Sequence, residues 1–139
     1  MGLLKHGILP YFACLHAYVF ASIFIVGSKM DFARIISANT IVGDKLTPLE
    51  NHLFGAAGAF HCAVGFACVM GVITEHSHFR GIMVFMELIQ WTLNTYDAYQ
   101  SDFPYSFMLV QAVIAAVGLL IHSLEPGIFT KDKSKEKEG

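Results

Sequence analysis

Glu87, Gln90, Asn94 and Asp97 follow one another at offsets of three, four and three within "FMELIQWTLNTYDAY", residues 85–99. Such offsets lie on one face of an α-helix, so four polar side chains form a row among Met, Leu, Ile and Trp. Val84, Phe85, Leu88, Leu93 and Tyr96 lie opposite, suited to lipid or apolar packing. In water this would be an ordinary wet helix face. Inside a bilayer a charged side chain is costly and faces a bundle interior or a water-filled cavity. Three roles are then open to the row: an internal polar network, a contact for a polar lipid or sterol head group, or a catalytic or proton-conducting site at Glu87. Its candidate partners across a bundle are His16, His61 and Gln111.

His61 carries a second kind of chemistry. Gly58 and Gly65 flank it on the same helical face. A histidine beside glycines leaves room for a planar macrocycle, with the imidazole as axial ligand to haem iron or to chlorophyll magnesium. His16 and His122 are candidate ligands of the same kind, and a hydrogen bond to a neighbouring helix is the alternative for all three. "EHSHF" brings Glu75, His76 and His78 together. Spacing fixes no further zinc ligand, so a polar interfacial loop is expected there and no metal site.

Gly55, Ala59, Ala63, Ala67 and Gly71 recur every four residues. In lipid the hydrophobic effect does not draw helices together, and close packing of small residues takes over. A tight helix–helix seam is the expected role, with a flat ligand groove as the alternative. Cys14, Cys62 and Cys68 form no CxxC pair and are expected to be small packing residues. No GxSxG motif or nucleophile–base pair argues for an enzyme.

The elements that must position these residues follow from the solvent the chain expects. Hydrophobic residues make up 55% of its 139 residues and charged residues 14%, against about 25% charged in a soluble domain. No Asp, Glu, Lys or Arg occurs from His6 to Ser28, from Asn51 to Thr74 or from Phe103 to Leu124. A membrane-crossing helix needs about 20 mostly apolar residues. An all-α, four-helix integral membrane bundle is therefore expected, with spans at about residues 8–28, 48–74, 79–98 and 104–124; the third reaches length only with Glu87 inside. The first apolar run exceeds a signal-peptide core of about 7–15 residues and reads as a retained span.

Local signals agree. Pro10 suits the first turn of span one. "TPLE", residues 47–50, is a complete capping box, Ser77 is a candidate cap for span three, and "SDFPY" supplies a turn before span four. "LEPG" should end the last helix. Residues 1–125 form the expected transmembrane domain and residues 126–139, ending "KDKSKEKEG", a charged solvent-exposed tail. The connection at residues 29–47 suits the membrane surface. Lys5, Arg80, Lys131, Lys133, Lys135 and Lys137 would share one side, against Lys29, Arg34 and Lys45 on the other. Both termini are accordingly expected on the cytosolic or equivalent side. A formal charge of −2 offers no field for nucleic acid.

The layout resembles the ergosterol-biosynthesis scaffold family, four-span endoplasmic reticulum proteins that tether the sterol C-4 demethylation enzymes. The resemblance covers most of the chain: its length, a first span, a connection of about twenty residues, "LENHLFGAAGAF", a polar-striped third span, and a Glu-Pro and lysine-rich tail after the fourth. Where that family has Arg-Thr-Phe-Gly, this chain has His52-Leu53-Phe54-Gly55, and Ala56-Ala57-Gly58 replaces the following Trp-Thr. Gln90 and Asn94 correspond to the family's His and Glu of the third span. The resemblance implies a non-catalytic scaffold of the endoplasmic reticulum, with other integral membrane proteins and lipid or sterol as partners. A scaffold or accessory subunit is thus the leading expectation. One alternative is a haem- or chlorophyll-binding subunit of a respiratory or photosynthetic complex, in the mitochondrial inner membrane or thylakoid; another is a small enzyme or transporter using Glu87.

Overall fold

The structure, a computed structural model, describes residues 2–26, 45–74 and 76–124. Those residues form four helices and no strand. Helix α1 is continuous through a π-helical turn at Leu4–Ile8, an α-helical stretch at Leu9–Ala21 and a second π-turn at Ser22–Val26. Helix α2 is Pro48–Ile73, α3 is Ser77–Gln100 and α4 is Ser106–Leu124. Three of them, α1, α2 and α4, are long and apolar enough to cross a membrane. Residues 27–44, Glu75 and residues 125–139 lie outside the described residues. Residues 29–44 of the surface connection, Glu75 of "EHSHF", residues 125–127 of "LEPG" and the tail fall there.

Pro10 stands in the first turn of the α-helical stretch Leu9–Ala21, and the π-turn Leu4–Ile8 continues the helix before it. Proline lacks an N–H and its ring collides with the carbonyl four residues back. The wider π-turn directly before Pro10 accommodates both, so the helix continues through it. At α2 the capping box forms as the sequence requires. Thr47 Oγ1 accepts from the Glu50 backbone N–H at 3.2 Å, and Glu50 Oε2 accepts from the Thr47 N–H at 2.7 Å. Ser77 does not cap α3; His76 holds the cap position without a side-chain bond. Buried Arg80 instead reaches back, its Nη1 donating to the Thr74 carbonyl at 2.7 Å, which ties the start of α3 to the end of α2. Asp102, at φ +52°, makes the turn from α3 into α4.

The helices pack chiefly as two pairs, α1 with α2 and α3 with α4. Between the pairs lie Leu4, Ile8, Leu9 and Phe12 of α1, against Cys68, Met83, Val84, Trp91, Ala112 and Ala115. Tyr11 adds a polar tie across the pairs, donating to Gln111 Oε1 at 2.7 Å. Gln111 is therefore a partner of Tyr11 and not of Glu87.

Of the four-residue repeat only Gly71 is buried in the small-residue seam. Gly58, Gly65 and Gly71 are the buried glycines of α2, while Ala59 and Ala63 are exposed and Gly55 and Ala67 half-buried. A Cβ built at Gly65 would meet His16 Cβ at 3.0 Å, one at Gly58 would meet Ile23 Cγ2 at 3.0 Å, and one at Gly71 would meet Leu9 Cδ1 at 3.0 Å. The reason is rotational. At 100° per residue a four-residue repeat drifts about 40° per step, so Gly55 to Gly71 winds some 160° around the helix. A spacing of seven drifts only about 20°, so Gly58 and Gly65 stay on one face toward α1, while Gly71, about 120° further round, meets Leu9 nearer the start of α1. This also corrects the expectation of room for a macrocycle beside Gly58 and Gly65, because α1 fills that space.

Gly65 is the most exacting of these positions, since its neighbours are a Cβ and the Ala13 backbone carbonyl at 3.8 Å. Gly65→Val should destabilise the bundle by about 1–3 kcal/mol through overpacking. Exposed Ala59→Val should stay within about 0.5 kcal/mol. Denaturation of the reconstituted protein by SDS titration checks both.

Candidate functional site

Glu87, on the inward face of α3, is 0% exposed, and so is His16 of α1. A carboxylate removed from water needs its oxygens met by donors. Three helices provide them. His16 Nε2 lies 2.8 Å and Cys68 Sγ 3.3 Å from Oε1, and Trp91 Nε1–H donates to Oε2 at 2.9 Å. His16 comes from α1, Cys68 from α2, and Trp91 from one turn along α3. On its far side, His16 Nδ1 lies 2.6 Å from His61 Nδ1 of α2. Trp91 lies over both imidazoles, with ring centroids 6.2 Å from His16 and 6.3 Å from His61. The result is a continuous line, Glu87–His16–His61, passing from the bundle centre toward the flank.

His16 and His61 share one hydrogen along the Nδ1···Nδ1 line, 2.6 Å long. With that hydrogen on His16, His61 carries its own on Nε2 and presents a donor; with it on His61, Nε2 presents a lone pair.

The rest of the polar row diverges from Glu87. The inward face of α3 runs through Arg80, Val84, Glu87, Trp91 and Ala98. Gln90 is half-buried, and Asn94 and Asp97 are exposed. Counting 100° per residue, Gln90, Asn94 and Asp97 sit about 20–80° to one side of Glu87, while Trp91 sits about 40° to the other. Expected as one inward seam, the four residues instead divide: Glu87 enters the core, and Gln90 and Asn94 line a cavity of ≈ 680 Å³ between α2 and α3. Across it stand His61, Phe60, Ala63 and Ala67 of α2. Of the apolar residues expected opposite the row, Phe85, Leu93 and Tyr96 are exposed, Leu88 is half-buried, and Val84 is fully buried in the core.

His122 stands apart from this cluster. It is buried near the end of α4 against Gly81, where a Cβ would meet its Nε2 at 2.8 Å. That close approach on α3 leaves no space for a macrocycle on this face of the ring. His16 is likewise committed through both nitrogens. Cys68 is more than packing, since its thiol faces the carboxylate; Cys14 and Cys62 are exposed. His16 Nε2, Cys68 Sγ and a Glu87 oxygen lie within 4.8 Å of one another, close enough to gather around a metal ion, but each is already engaged in the hydrogen-bonded cluster. Trp91, at i+4 from Glu87, was open to discovery from helical spacing. Cys68 was not, because its place depends on how α2 is rotated.

Glu87→Ala leaves three buried donors facing a void and should destabilise the bundle by about 3–5 kcal/mol. Glu87→Gln retains one acceptor oxygen and should cost roughly half as much. Asp97→Asn, at an exposed position, should be near neutral. SDS unfolding followed through the emission of Trp91, the single tryptophan, measures all three.

No protein-family model, curated protein or solved structure matches the chain.

Proposed function

We propose that the chain is a small polytopic membrane protein that works by association, as a scaffold or accessory subunit of a membrane protein complex. The observation supporting this is the enclosure of Glu87. Its oxygens are taken up by His16, Cys68 and Trp91 at full burial, an arrangement that fixes three helices relative to one another. A carboxylate committed in this way locks a bundle; it does not meet a substrate. The outer surface suits association, with large side chains such as Tyr18, Phe24, Phe66, Tyr96 and Phe107 exposed. Aromatic side chains of this kind are enriched where proteins meet. The sterol-enzyme scaffold of the endoplasmic reticulum is the version the sequence resemblance favours, with sterol-processing membrane enzymes as its partners.

His61 beside the α2–α3 cavity favours a second reading, a subunit binding haem or chlorophyll. Two measurements separate the readings. Affinity purification from native membrane in mild detergent should recover other integral membrane proteins in fixed proportion, and Glu87→Ala should release them. An absorption spectrum of the same sample should lack a macrocycle band. A pigment band lost in His61→Ala would replace the association reading with the cofactor one. A chain recovered alone, by native mass spectrometry, from membranes where it is functional would sink it.

A further inference from the structure

The cavity between α2 and α3 is built from residues the bundle lock does not use. Its α2 wall is low because Ala63 and Ala67 carry only methyl groups, and its α3 wall includes Met83 and Met86, whose unbranched side chains adapt to irregular shapes. At ≈ 680 Å³ it falls within the roughly 300–1,000 Å³ of small-molecule sites, which are mostly apolar with few polar groups. The polar groups here are His61 on one wall and Gln90 and Asn94 on the other.

The polarity of His61 is set from behind. Its Nδ1 is held by His16 Nδ1 at 2.6 Å, and His16 is held by Glu87 at 2.8 Å. With the shared Nδ1 hydrogen on His16, His61 presents Nε2–H, a donor. Gln90 and Asn94 each carry an amide NH₂, also a donor. Phe60, edge-on to His61 at 6.0 Å between centroids, adds an aromatic contact at the same wall. Donors on both walls of an apolar, aromatic-edged slot suit a flat ring with a carbonyl at each end.

We propose that the α2–α3 cavity binds the head group of a lipid-soluble quinone, with His61 Nε2–H donating to one carbonyl and the Gln90 amide to the other. The assignment is independent of which proteins the bundle associates with. His61 acts here by binding alone, and no electron or proton transfer is involved.

Trp91 sits directly behind His61 and reports occupancy, because a quinone quenches indole emission. The full-length protein in nanodiscs is titrated with decyl-benzoquinone. Saturable quenching is expected, and 1,4-dimethoxy-decylbenzene, a non-quenching competitor that keeps the shape but loses both carbonyls, should restore emission only at concentrations about a hundredfold above the quinone's Kd, the worth of two such hydrogen bonds. His61→Phe should weaken quinone binding about tenfold and cut the difference between quinone and dimethoxy compound to about tenfold. Ala63→Leu, at an exposed position on the cavity floor, should abolish saturable quenching while leaving the unfolding midpoint unchanged, so loss of fold and loss of site are told apart. Quenching that rises linearly with lipid partitioning would overturn the proposal. So would a dimethoxy compound or a ketosteroid that displaces the probe from the wild type at or below the quinone's own Kd. A native complex in which a partner helix closes the cavity to the probe would overturn it equally.

Discussion

One buried carboxylate constrains this bundle more than any other group. Left unpaired at the depth of apolar helices, Glu87 would cost several kcal/mol, a large share of the total stability of a small protein. Meeting it requires donors from α1, α2 and α3 at hydrogen-bond distance together. Helix positions that would otherwise be free to slide are therefore fixed. Gly65 is one consequence: His16 reaches Glu87 from a backbone lying against α2 with no side chain between. Cys68, one turn on from Gly65, then comes to the same oxygen from the α2 side.

The same requirement leaves α2 and α3 apart. The imidazole of His16 enters from α1 between these two helices, and the aromatic cluster of His61 and Trp91 completes the filling. Contact between α2 and α3 is correspondingly thin beside the α1–α2 and α3–α4 interfaces. Where the cluster ends, methyl-sized side chains on α2 cannot bridge the gap, and a cavity remains. Lock and cavity are two results of one spacing.

Much of this was legible in the sequence, and the boundary has physical causes. Charge-free runs reveal spanning helices because lipid admits few charges, and "TPLE" reveals a helix start because its two bonds are local. Glu87 stood out as the one acid deep within an apolar pattern. Helix rotation was not legible. A glycine row at spacing seven and an alanine-rich row at spacing four coexist on α2, and only the position of α1 decides which becomes the seam. The divergence of Gln90, Asn94 and Asp97 from Glu87 has the same origin, since a face about 60° wide cannot be aimed by offsets alone.

A buried ion pair is seldom the most stabilising way to fill a core; well-packed apolar side chains often do as well or better. In water, apolar packing would also be sufficient to gather four helices. In lipid it is not, because the surrounding chains are as apolar as the side chains. A hydrogen-bonded cluster has one geometry that satisfies all its members, so it selects a single arrangement among many apolar ones of similar energy. Here that arrangement has a second effect. Through His16 the hydrogen-bond polarity of the lock is handed outward to His61, which stands on the wall of a surface cavity. A change at Glu87 is thus felt at the α2–α3 wall through two imidazoles.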